Sequence, residues 1–297
     1  PAVAILGIEA NVEDIEAMRA EMNLDKSLPE QYALYLGGLV HGDFGYSYSY
    51  RQDVLPLITS RIPNTLTLTL TALLFAFIIG TSVGIIAALK QNTIFDYIVM
   101  VITLVGVSMP IFWLGLMGLL LFYGILGWIG GPGRQGIIYD GMVPTVTGMI
   151  LVDSLLAGDW GAFRDAFSHI ILPACLLGYF SLAYISRMTR SFMLEQLSAE
   201  YVTAARVKGM SETRVIWGHA FRNILVPLIT VIALSFGGLL EGSVLTEIVF
   251  SWPGIGQYIT KALLAGDMNA VLGGTVVVGT SISDSTSLVS TRSFSVK

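Results

Sequence analysis

Residues 64–89 form a run of 26 residues without one charged side chain, closed by Lys90. A hydrocarbon core of about 30 Å is crossed by about 20 consecutive apolar residues in a helix. In lipid the backbone must satisfy its own hydrogen bonds, so such a run commits the chain to helices. Comparable apolar runs extend from Tyr97 to Leu126, from Phe167 to Ser186 and, interrupted by Glu241 and Glu247, from Asn223 to Ile248. A fifth run, Ala270 to Gly279, is about half the length needed to cross. Composition agrees, since charged residues make up 12% of the chain against roughly 25% in a soluble domain. The expectation is an all-α polytopic membrane protein of about five spans, the last of them short, solvated by membrane lipid and not directed at nucleic acid.

Charge placement orients the spans. Arg187, Arg190, Arg206, Lys208, Arg214 and Arg222 crowd the segment between the third and fourth spans. The segment from Gly127 to Asp165 carries Asp140, Asp153, Asp159 and Asp165 against only Arg134 and Arg164. Short basic loops face the cytoplasm, so residues 187–222 and Lys90 belong inside, and residues 127–165 and 1–63 outside. Trp128, Trp217 and Trp252 then fall at span ends, where indoles favour the membrane interface. The resulting division is an extracytoplasmic region at 1–63, a transmembrane domain at 64–279 and a polar tail at 280–297, rich in Ser and Thr. Within the first region an acidic, helix-like stretch runs from Glu9 to Asn23, and residues 46–50 read as turn-rich and strand-like. The chain starts at Pro1, and residues 1–7 are apolar but lack the basic flank of a signal peptide. An outside start with no span before it implies a segment ahead of residue 1.

Little in the chain suggests catalysis. Cys175 is the lone cysteine and sits in an apolar run, and His41, His169 and His219 lie in separate regions. No metal site is expected from them. No Gly-Lys dipeptide occurs, so the chain has no phosphate-cradling loop of the P-loop type. Ionisable residues inside the spans are His169, Glu241 and, at an outer end, Glu247. Carriers driven by an ion gradient need charges or broken helices near the midplane. Sparse charge therefore favours a path driven from outside the membrane; the alternative reading is an ion-coupled secondary transporter or a channel. Glu241, after Gly237 and Gly238, is a candidate for the lining of a polar pathway, as is Pro110, which should kink the second span.

The polar, net basic stretch from Ser198 to Pro227 is the most informative. Ser198 reads as a helix N-cap, Glu200 places negative charge in the first turn, Arg206 and Lys208 place positive charge in the last, and Gly209 supplies a positive-φ stop. Tyr201, Ala204, Ala205 and Lys208 occupy one helix, with a small-residue waist at Ala204 and Ala205 where another surface can approach closely. Glu200, Ala204, Ala205 and Gly209, followed by Ile224 and Pro227, resemble the EAA loop of ABC importer permeases. The wording EYVTAARVKGMSETRV, with GLVHGDFGYSY at 38–48 and FSWPGIGQYITKAL at 250–263, is similar to the dipeptide and oligopeptide permease family. The resemblance implies a permease subunit of an ATP-driven importer in the cytoplasmic membrane, which is not itself an enzyme. It also implies a second permease subunit, two ATPase subunits and an extracytoplasmic substrate-binding protein. ATP and magnesium then belong to the ATPase partner, with no cofactor on this chain, and Glu200, Tyr201, Ala204, Ala205, Lys208 and Gly209 meet that partner. The family also has a first span ahead of residue 1, and a full last span where this chain turns polar.

Overall fold

The computed structural model describes residues 11–293; the apolar start at residues 1–7 and the end of the tail at residues 294–297 lie outside the described residues. The acidic stretch becomes α1 (Val12–Glu21). It is followed by α2 (Leu28–Val40), where the Ser27 N–H donates to the Glu30 carboxylate at 3.2 Å. The strand-like element is a two-stranded antiparallel hairpin, β1 (Tyr46–Ser47) and β2 (Gln52–Asp53), with Tyr46 opposite Asp53. The helical body comprises α3 (Val54–Leu89), α4 (Ile94–Ser108), α5 (Ile111–Gly118), α6 (Ile150–Leu156), α7 (Trp160–Ser198), α8 (Glu200–Val207), α9 (Phe221–Val249), α10 (Ile255–Leu264) and α11 (Met268–Ser293). A π-helical turn, Leu119–Ile125, extends α5, and another, Arg214–Ala220, leads into α9.

Among the described residues, three helices are long and apolar enough to cross a membrane: Val54–Leu89, Trp160–Ser198 and Arg214–Val249. The threonines of α3 live in this apolar setting by bonding their own helix. Thr67, Thr69 and Thr71 each donate to the carbonyl four residues back, those of Pro63, Thr65 and Thr67, at 2.6 to 2.9 Å.

Helices α3 and α7 pack in the same direction through small residues. A Cβ on Gly80 would lie 3.2 Å from the Leu182 carbonyl, one on Gly84 2.6 Å from that of Ser186, and one on Gly178 2.6 Å from that of Ala72. Such contacts let backbones approach where lipid offers no hydrophobic drive between helices. Helix α9 runs antiparallel to both. Its start joins Ile85, Ala88 and Met193 through Ala220 and Ile224, and Leu239 near its other end joins Leu68, Ala72, Ile170, Ala174 and Leu177. One end of the bundle thus gathers the start of α3, the 127–165 segment and the turn after α9, and the other gathers residues 90–94 and α8.

The structure changes several expectations. The second span is two helices, because Pro110, with φ −62° and ψ 129°, stands outside the helical region and starts α5 afresh; proline lacks the donor and disfavours helix in the residue before it. Ser198 does not cap α8: it is the last residue of α7 and donates its hydroxyl to the Glu195 carbonyl at 2.9 Å, and extended Ala199 is the N-cap. Residues 187–222 are therefore not one loop, since Arg187 and Arg190 still ride on α7. Trp252 is fully buried, donating to the Asn64 carbonyl at 2.9 Å, so its indole packs inside the protein and is not turned outward. Finally, the last helix passes through Gly279 to Ser293, although its apolar part, Met268–Thr280, remains short.

Candidate functional site

Helix α8 stands between two sharp changes of direction. Ala199 is extended, and Gly209 takes φ +78°, the left-handed stop expected of it. Val202 and Ala205 are buried against Val215, with Met210 packed alongside, so the α8 turn is pinned to the segment that follows. The two alanines consequently part company: Ala205 is 7% exposed and faces inward, whereas Ala204 is exposed. The expected waist is one residue wide. The outward face carries Glu200, Thr203, Ala204, Val207 and Lys208 along a shallow groove, with Val207 83% exposed. Tyr201 donates to Gln196 Oε1 at 2.7 Å, which fixes its ring beside that face. Arg206 pairs with Glu212 at 2.9 Å across the Gly209 turn.

At the same end, Arg190 forms a two-pronged bond to Asp96, Nε to Oδ1 at 2.8 Å and Nη2 to Oδ2 at 2.7 Å, with the Asp96 side chain 1% exposed. By sequence alone Arg190 counts among loop charges; its partner lies 94 positions earlier and nothing local announces it.

The two pathway candidates are not joined by any hydrogen bond or ion pair among the described residues. Pro110 is exposed at the break between α4 and α5. Glu241 is exposed on α9, in a stripe with Leu234, Gly238, Leu245 and Ile248, and its carboxylate has no protein partner among the described residues. An ionised group at this depth is costly against lipid, which suits a face turned toward water or another chain.

Glu247 is more central than its place in the sequence suggests. It is fully buried, accepting from the Thr65 hydroxyl at 2.6 Å and the Gln257 N–H at 3.0 Å. The Ile255 N–H donates in turn to Thr65 Oγ1 at 2.9 Å, and Asn64 Nδ2 to the Pro253 carbonyl at 2.9 Å. A Cβ at Gly254 would strike the Glu247 carboxylate. FSWPGIGQY is thus a turn wrapped around one carboxylate and locked to the start of the first long span. A charge close to a Trp-Pro-Gly turn is the one signal of this in the sequence.

Beside this turn, Asp153 accepts from the Thr147 N–H and hydroxyl at 2.8 and 2.7 Å and from the Gly148 N–H at 3.0 Å. Burial pushes its carboxyl upward, but these hydrogen bonds outweigh it and hold the group below the ordinary carboxylate range.

Residues 80–292 match the family described as binding-protein-dependent transport system inner membrane component, and residues 1–69 match the N-terminal family of such membrane components. A di/tripeptide transport system permease protein of Pseudomonas aeruginosa is 47% identical over 87% of this chain and 76% of its own length. Dipeptide transport system permease proteins of Alkalihalophilus pseudofirmus and Escherichia coli are 41% and 43% identical, covering 94% and 89% of this chain and 84% and 78% of theirs.

Proposed function

Because the chain belongs to the family of binding-protein-dependent transport system inner membrane components, we propose that this multi-pass inner-membrane permease subunit carries di- or oligopeptides inward as half of a translocation path. Its work is transport and not catalysis. A second permease subunit completes the path, two ATPase subunits bind ATP and magnesium and hydrolyse the nucleotide, and an extracytoplasmic binding protein delivers the peptide. The relatives' peptide-transport names support the substrate class.

The observation that carries the coupling assignment is the two-sided character of α8. Its inner face is spent on Val215, while Glu200, Ala204, Val207 and Lys208 point away from the rest of the chain. A helix held this way transmits a push from a partner as a rigid body. It can drive a change only if its contacts differ between the partner's two states. Ala204→Trp should lower copurification of the ATPase and peptide uptake together while membrane abundance stays near wild type. Normal uptake with the ATPase still bound would remove α8 from the coupling route, and uptake by the permease alone in liposomes would replace the ATP-driven reading with a carrier.

A further inference from the structure

At the end of the bundle that holds the Glu247 turn, a cavity of about 630 Å³ opens between the start of α3, residues 145–148 and Pro253. That volume suits a small ligand. Arg61 and Arg134 both line it, and neither belongs to an ion pair among the described residues. Arg134 gives one N–H to Asn64 Oδ1 at 3.2 Å. Arg61 lies 5.9 Å from the centre of the Tyr258 ring. Burial, helped by Asp267 and Tyr50, pushes that phenol up to about 12, so the ring stays neutral and supplies no countercharge. No acidic side chain lines the cavity among the described residues. Asp153 borders the adjoining smaller pocket, but its oxygens are already engaged by Thr147 and Gly148.

Two half-buried guanidinium groups without countercharge, in one ligand-sized space, match the planar geometry of a carboxylate. We propose that this cavity is a binding site on the permease for the free C-terminal carboxylate of a small peptide, held by Arg61 and Arg134 as the peptide enters. The proposal rests on the peptide-import reading and on this end of the bundle facing outside.

The test uses the wild-type permease complex with its ATPase in lipid nanodiscs, without binding protein. Phenylglyoxal modification of each arginine is followed by mass spectrometry in the presence of Ala-Ala or its C-terminal amide. Ala-Ala should slow modification of Arg61 and Arg134 about tenfold, the scale of one charge-assisted hydrogen bond, and the amide should not. Arg206, at the other end, should react equally throughout. In R61Q the protection of Arg134 should fall. Equal modification with and without Ala-Ala, or equal protection by the amide, overturns the site. In a separate arm empty binding protein is added: protection by it but not by Ala-Ala overturns the site too, by showing a docking contact in its place. Uptake of Ala-Ala by the wild-type system separates the two levels: uptake without protection sinks this site alone, and absence of uptake sinks the peptide reading beneath it.

Discussion

Glu247 shows how one side chain can organise a segment whose partners lie far away in sequence. Glu247→Ala would leave the Thr65 hydroxyl and the Gln257 N–H without their acceptor in a dry setting, at about 1–3 kcal/mol for each unsatisfied group. The purified protein should melt at lower temperature, with Glu247→Gln in between because one amide oxygen remains. Thermal unfolding in detergent checks the order. Asp153 makes a pH prediction. Its folded pKa lies below the ordinary value, so its stabilisation is present above the unfolded pKa of about 3.9 and is lost as pH falls through the lower folded value. Asp153→Asn should therefore destabilise the 145–160 segment at neutral pH, and the gap from wild type should close in strong acid. Limited proteolysis of that segment across pH reads this directly, and a gap independent of pH would refute it. Neither residue is legible as a centre from sequence: an acid near a span end looks the same whether it meets water or caps a buried turn, and the contacts that decide are made only in the folded chain.

At the scale of elements, α8 is legible because its signals are local. Glu200 in the first turn and Gly209 at the stop act over a few residues. Which alanine faces out is not legible, since both fit a small waist and only the position of Val215 chooses Ala205 for the inside. That yields a paired prediction. Ala205→Trp should overfill the contact with Val202 and Val215 and cost about 1–3 kcal/mol, so the α8 turn becomes more open to protease, whereas Ala204→Trp should leave it as resistant as wild type. Equal protease sensitivity would mean that the two faces are not distinct. Gly209→Val adds a backbone test: a side chain would meet open space there, so any loss comes from holding a β-branched residue at φ +78°, roughly 1–2 kcal/mol. Pro110 illustrates the opposite case. A proline announces an interruption, but whether the helix bends or restarts depends on packing beyond the local sequence.

For the whole molecule, long uncharged runs make the helical class and the main crossings plain, because lipid leaves few alternatives. Helix lengths are less plain: α7 extends at both ends beyond the apolar run Phe167–Ser186 to span Trp160–Ser198, since hydrogen bonding within a helix continues past the part that lipid covers. The sidedness of the bundle rests on the basic residues near α8 and the acidic ones in the 127–165 segment. Ser49 and Ser211 are exposed at opposite ends, near the Asp267 contact at one end and the α8 turn at the other. With Cys175 replaced by Ala, single cysteines at these two positions should react with a membrane-impermeant maleimide from opposite sides. In intact cells stripped of their outer membrane, the Ser49→Cys protein should label without lysis and the Ser211→Cys protein only after it. Labelling of both before lysis would reverse or break the orientation, and with it the expectation that the Arg61 and Arg134 cavity opens toward arriving substrate while α8 meets the ATPase.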